Sequence, residues 1–380
     1  MSEVPDGHPK RIVHVVHKMV VGGIETLVLD LMRRDDGTRH ECVSLTLDKP
    51  TILASWPVMV ALQDRLYCVE KGEGLEPFAV LRLAGLFRSL RPDAVVLHHI
   101  GPFLYAGLAA RLAKVPVLIH YEHDAWHYEI PNNRRIATTC SHLVRPIHVA
   151  VSESVASGMR PVVRKAPVQV IAPGIDTDCF VCADRGEARM RLGIDPQKRW
   201  IGTVGRLVAV KNQASLIEAL ALLDNEHAVL IVGDGPERPR LEVLTETLNL
   251  SNRVCFLGER SDIHKIIPAL DVFCLPSLNE GLPRSVLEAQ SCGVPVVTTT
   301  VGSLAEAVHA ESGALVAPGN AAELADAIKL VLARPCDPAA LRRYVIDRFS
   351  ITAVARELER FVTARPRSGD TGLLTLGLAL

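Results

Sequence analysis

DVFCLPSLNEGLPRSVLEAQSCGVPVV, residues 271–297, contains one complete strand–helix–strand unit. Val272-Phe273-Cys274-Leu275 is a wholly apolar run of strand length, and Val294 to Thr298 is a second. Between them Pro283 marks a helix start, where the missing proline N–H is one that the first helical turn leaves unbonded anyway. Two strands joined through a helix lie parallel, so this stretch predicts a parallel sheet.

Working outward, the same alternation fills the chain. In the second half it repeats at Trp200–Gly205, Val229–Val232, Val254–Leu257 and Ala314–Val316, and in the first half at Arg11–His17, Cys42–Leu47, Ala94–His98, Val117–Tyr121, Ile147–Val151 and Val168–Ile171. Helical spacing is clear in Ile24–Met32 and Phe78–Leu90, in the face made by Leu324, Ala327, Ile328, Val331 and Leu332, and over Pro338–Val362. Between the two runs of strands, Ala172 to Arg199 carries Pro173, Gly174 and several aspartates and no sustained strand. The expected organisation is α/β, with two Rossmann-like parallel-sheet domains over 1–171 and 200–364 that face a central cleft. A linker at 172–199 joins them, and a tail without structure follows from 365.

Length agrees, because 380 residues exceed what one hydrophobic core usually supports. Apolar residues at 48% and charged ones at 22% are the balance of a folded globular protein. A net charge of −1 supplies no basic face for nucleic acid, so an anionic ligand must be met locally. The polar opening Met1–Lys10 has no signal-peptide core, and the most apolar long stretch, Ala94–Ile119, is broken by His98, His99, Arg111 and Lys114. Nine scattered cysteines read as reduced thiols. A cytoplasmic location is expected, with peripheral contact at a membrane face left open.

In open parallel sheets ligands bind beyond the carboxyl ends of the strands. There Gly202-Thr203-Val204-Gly205-Arg206 is followed by Lys211, two cations suited to a diphosphate, which arginine grips by a fork and lysine as a point charge. Alone, that pattern also fits an ordinary solvated loop. Gly233, in Gly233-Asp234-Gly235-Pro236, makes a tight strand-to-helix turn, and the Gly258–Arg260 segment can lay its backbone against a base. Glu280 lies in the loop before Pro283 and Glu288 on the second turn of the helix, eight positions on. Carboxylates accept hydrogen bonds from sugar or ribose hydroxyls, while helix-start amides, with Gly281 and Leu282 just before them, bind oxygen anions. Near the amino terminus Gly22 and Gly23 open the first helix and bring backbone amides close to an anion.

In this order GTVGRL with Lys211, LIVGDGPER, VCFLGER, the opening stretch and VGSLAE resemble the C-terminal domain of the family 4 retaining glycosyltransferases of the GT-B fold, over roughly 120 residues. The resemblance implies a metal-independent transferase of hexosyl type acting on a nucleotide-sugar donor, with no cofactor beyond that substrate. Arg206 and Lys211 would hold the diphosphate, Glu280 the transferred sugar and Glu288 the ribose hydroxyls. Gly22 and Gly23 would face the phosphates from across the cleft, and His123, in Val117–Asp124, would match the histidine facing the sugar. His123 and Glu280 are thus the expected catalytic pair. Gly22, Gly23, Arg206, Lys211, Gly233, Gly258, Gly281, Leu282 and Glu288 form the expected donor-binding set. The sequence departs from the pattern at Pro283, where many members have glycine, and at Ala172, where asparagine is usual.

Asp176-Thr177-Asp178 has the spelling of a metal-binding DxD, yet it lies in the linker. Cys179 and Cys182 form a single C-x2-C, and His120, His123 and His127 span a strand end and a loop, so no metal site is expected. Two other readings compete: a hydrolysing sugar-nucleotide epimerase or phosphorylase of the same shape, and a sugar-nucleotide-binding protein without turnover. The acceptor is expected to be a sugar or lipid-linked intermediate of polysaccharide or glycolipid synthesis.

Overall fold

The computed structural model describes residues 9–164 and 166–363; the expected tail lies outside them. The first sheet has seven parallel strands, β1 (Lys10–Val16), β2 (Thr38–Ser44), β3 (Leu66–Cys68), β4 (Ala94–His98), β5 (Val117–Glu122), β6 (Ile147–Ala150) and β7 (Val168–Val170). Their order is β3-β2-β1-β4-β5-β6-β7. The second has six, β8 (Arg199–Val204), β9 (His227–Val232), β10 (Val254–Gly258), β11 (Val272–Leu275), β12 (Val296–Thr299) and β13 (Ala314–Val316), ordered β10-β9-β8-β11-β12-β13. In both sheets the order reverses beside the first strand, between β1 and β4 and between β8 and β11. A crevice forms at such a reversal, because successive helices leave on opposite faces.

Two strands differ from the sequence reading. β2 starts at Thr38 rather than Cys42, pairing Lys10 with Thr38 and Val16 with Ser44. Its polar opening is buried because it is paired internally: the Glu41 carboxylate lies 2.6 Å from Arg39 Nε and 3.5 Å from Arg11 Nε. β3, only three residues long, is too short to leave a periodic signal.

The segment 172–199 holds a helix, Arg185–Leu192, fixed to the second sheet by Arg189, which reaches Asp271 at 2.5 Å and donates to the Ala269 carbonyl at 2.9 Å. The helices Pro338–Phe349 and Ile351–Thr363 close the described chain. The second of these returns to the first unit. Its Thr352 Oγ accepts from Arg34 at 2.8 Å, and Ile175 bridges Ser350 beside it. One apolar cluster runs through both units, from Ile12, Leu27 and Tyr121 to Phe273, Leu287 and Leu358. Burial of that shared surface holds the two sheets' carboxyl ends opposite each other.

Candidate active site

The loops after β8, β9 and β10 are stacked through backbone contacts. Gly233 has φ of +130°, and a Cβ there would sit 2.0 Å from the Gly205 carbonyl oxygen, so no side chain fits. Its N–H donates to the Gly258 carbonyl at 2.8 Å. Gly233 and Gly258 therefore have a packing role whatever they bind. Arg206 is exposed and has no ion-pair partner among the described residues. Its charge acts on Glu25 in the opposite unit. There burial raises the Glu25 carboxyl, while that carboxyl's own backbone hydrogen bond, His99 and Arg206 pull it down.

Lys211 ends the short turn Ala209–Lys211, and that turn is tied to the loop after β11 by Leu278 N–H donating to the Val210 carbonyl at 2.7 Å. Across this tie Lys211 Nζ reaches Glu280 Oε1 at 2.5 Å, and Ser277 Oγ donates to the same oxygen at 2.6 Å. Glu280 is thus a fixed carboxylate, both of these bonds ending on Oε1. One residue on, the backbone meets the first unit: a Cβ on Gly281 would lie 2.0 Å from the His123 carbonyl oxygen. Leu282 is buried against the shared core.

Three further contacts hold the units together here. The Ser303 and Ser152 hydroxyls hydrogen-bond across the cleft, Ser303 itself being held within the second unit by its N–H donating to the Gly281 carbonyl at 3.1 Å. The Glu306 carboxylate accepts from Glu153 and Ser154 N–H, each at 3.1 Å. Those are open amides at the start of helix Glu153–Val163, where a carboxylate is favoured by the helix dipole.

His123, half-buried, ends a line of imidazoles that continues through three buried ones across four strands. His123 Nε2 lies 2.9 Å from His98 Nδ1, His98 Nε2 lies 3.1 Å from His14 Nδ1, and His14 Nε2 lies 2.9 Å from His40 Nδ1. Burial, then neighbouring histidines, pushes His123 down to about 3, and burial pushes His40 down to about 4 and His14 and His98 well below the usual range, so all four are neutral at neutral pH. His40 Nε2 is buried without a partner among the described residues. A buried bare nitrogen costs less than a buried orphan N–H, so each ring donates toward His123, whose Nδ1–H is then left to donate elsewhere.

Beside this line Glu122 is fully buried. Burial would raise its carboxyl, but His99, His120 and His127 hold it well below the usual range. His99 Nδ1 is 2.6 Å from Glu122, and Tyr128 donates to it at 2.6 Å. Among the described residues, the group spaced to hold a metal ion is His99, Asp124 and His127, not His120, His123 and His127. In its present state it is bonded internally, with His127 Nδ1 2.9 Å from Asp124. Asp176 is occupied as well, accepting from the N–H groups of Asp178 and Cys179.

Glu288 has a different partner from Glu280. It is 8% exposed, its Oε1 is 3.7 Å from Arg284 Nε, and burial, opposed by Arg284, pushes its carboxyl up to about 7. Arg284 in turn ion-pairs with Asp30 of the first unit and donates to the Gly174 carbonyl at 2.7 Å. Gly22 caps the helix Gly23–Arg33 that carries Asp30, and open space surrounds the Cβ position of Gly23. The structure therefore brings Lys211, Glu280, Gly281 and His123 to one point. It puts Arg206 opposite Glu25, and sets Glu288 beside Arg284 on its own helix, where Arg284 in turn pairs with Asp30 of the first unit. Sequence reasoning missed Asp30, Arg284, Ser303, Glu306 and the Glu122 cluster. A lone aspartate on the buried face of the first helix, and the clustering of histidines around β5, were the available signals.

A pocket of about 400 Å³ opens between the units beside this point, lined by Trp126, Tyr128, Glu129 and Arg134 from the first and by Asn279 and Glu280 from the second.

Two family models match the chain: that of glycosyltransferase family 4 over residues 21–179, and that of group 1 glycosyl transferases over 184–348. EpsF of Bacillus subtilis, a glycosyltransferase by name, is 29% identical over 324 residues, 80% of this chain and 82% of its own. The D-inositol 3-phosphate glycosyltransferase of Mycolicibacterium gilvum is 34% identical over 208 residues, 53% of this chain; the chain spans about half, 47%, of that relative's length. Among solved structures, HepE of Anabaena, in complex with UDP and glucose, superposes with a TM-score of 0.80 at 21% identity, covering 94% of this chain and 100% of that one. A Rickettsia africae glycosyltransferase gives 0.76 at 22% identity, over 93% and 98%. With its two halves matched in order and both sheets in place, the chain belongs to the family 4, group 1 glycosyltransferases and has the GT-B fold.

Proposed function

We propose that the protein transfers a sugar from a nucleotide-diphosphate sugar to an acceptor lodged against the first unit, with retention of anomeric configuration and without a metal ion. The observation that carries this reading is the Lys211–Glu280 pair at the β8 and β11 ends, one residue from the contact between Gly281 and His123. Arg206 and Lys211 neutralise the diphosphate, with amides at Gly22 and Gly23 opposite, which serves the leaving group electrostatically. Gly233 and Gly258 line the base, Gly281 and Leu282 approach the phosphates and sugar, and Glu288 meets the ribose. Glu280, held by Lys211 and Ser277, positions the sugar, and neutral His123 donates a hydrogen bond to it. As the anomeric C–O bond to the diphosphate breaks, the acceptor oxygen bonds to the same carbon from the same face, and its proton passes to the departing phosphate oxygen. The acceptor is a sugar or lipid-linked intermediate, met in the cytoplasm or at the inner membrane face. Among the described residues no helix is long and apolar enough to cross a membrane.

The test is nucleotide release from a panel of UDP, GDP and ADP sugars, with and without candidate acceptors, followed by NMR of the product's anomeric proton. Release that depends on acceptor and gives the donor's configuration supports the reading. Release without acceptor, with an epimerised sugar, supports the epimerase; binding without release supports an inert binder.

A further inference from the structure

A second pocket, of about 520 Å³, continues outward from the interdomain one and shares Tyr128, Glu129 and Arg134 with it. Three arginines line it. Arg134 and Arg135 are consecutive on the helix Pro131–Val144, and Arg164 follows the helix Glu153–Val163. The two helices are pinned together there, since Thr138 Oγ donates to the carbonyls of Arg134 at 2.9 Å and Val162 at 3.1 Å. Arg164 has φ of +58°, a conformation that costs a residue with a side chain. Among the described residues none of the three has an ion pair, although the neighbouring Arg160 pairs with Glu153 at 2.6 Å. One carboxylate, Glu129, shares the pocket. Its charge offsets one guanidinium and leaves two in excess.

On the transferase reading the donor's diphosphate already has Arg206 and Lys211 on the opposite side, so these arginines serve another anion. We propose that the acceptor carries a phosphate or diphosphate, gripped by Arg134, Arg135 and Arg164, while its reacting hydroxyl enters the inner pocket beside Glu280. Forked guanidinium donors around one groove match the several acceptor oxygens of a phosphate. Such an acceptor is the product of a reaction that transfers a phosphoryl or phosphosugar group to an alcohol or a phosphate, so that class of enzyme must act first.

Pyrophosphate binding by the full chain tests this in an Arg206→Ala, Lys211→Ala background, where the donor site contributes little. Calorimetry should find one pyrophosphate site, and adding Arg134→Ala, Arg135→Ala and Arg164→Ala should raise its Kd at least about tenfold. Lysine at the three positions should restore part of the affinity, and Arg160→Ala should leave it unchanged. Competition separates the two sources of such a phosphate: glucose 1-phosphate matching farnesyl diphosphate indicates a soluble phosphosugar, and a clear preference for farnesyl diphosphate a lipid-linked one. Pyrophosphate affinity indifferent to the three arginines overturns the proposal. If the pyrophosphate site is present but no donor panel turns over, the transferase reading fails and the site stands. If a phosphate-free acceptor reacts with equal kcat/KM in wild type and triple variant, the acceptor assignment fails and the transferase stands.

Discussion

Replacing Glu288 with glutamine should change the pH dependence of stability in a calculable way. The Glu288 carboxyl moves from an ordinary value of 4.5 up to about 7, because burial disfavours its charge more than Arg284 supports it. A raised carboxyl binds its proton more tightly in the folded state, so this contribution to stability is complete below 4.5 and is lost as pH climbs toward 7. At 1.36 kcal/mol per pH unit the loss is about 3 kcal/mol. With an unfolding entropy of roughly 2.1 cal/mol/K per residue, a chain of this length unfolding as one unit shifts its Tm by about 4 °C. Glutamine keeps the shape and cannot ionise, and Arg284 retains its Asp30 partner. Scanning calorimetry of both proteins at pH 5 and pH 8 should therefore show the variant's Tm, relative to wild type, rising by about 3 °C between the two, because part of the loss has already occurred by pH 5. A difference that does not change with pH refutes the placing of Glu288 as a desolvated carboxyl beside Arg284.

The two glutamates should also separate kinetically: Glu280→Gln should lower kcat, since contacts to the reacting sugar tighten in the transition state, and Glu288→Gln should mainly raise the donor KM. Identical effects on KM alone would remove that division. Arg206→Ala and Lys211→Ala should each weaken donor binding by about 1.5–3 kcal/mol in calorimetry, Arg206 at the lower end because it is exposed; unchanged affinity removes the diphosphate assignment. Activity should persist in EDTA, whereas loss reversed by a divalent ion would direct attention to His99, Asp124 and His127. Gly281→Ala sets a Cβ 2.0 Å from the His123 carbonyl and must part the units there by about 1 Å, costing about 1–3 kcal/mol and lowering kcat; unaltered melting and turnover would show that the contact is dispensable.

Much of this molecule is legible in one dimension because its signals are local. The apolar runs that became β4 and β11 are strands at their expected residues, since a strand buried on both faces is predominantly apolar. The two-domain α/β organisation followed from strand–helix alternation, and the GT-B fold from the family resemblance of motifs that sit at strand ends in a fixed order. Tertiary structure alone decided the rest. Parallel pairing sets Ile12 against His40, His14 against Val96 and His98 against Tyr121, a two-residue advance at each strand that lines four histidines into one chain. Asp30 and Arg284, 254 positions apart, meet because burial of the shared core fixes how the units face each other. Glu306 reaches the helix at Glu153 for the same reason. Such pairings depend on the register of strands and the docking of two bodies, which no local spacing of residues encodes.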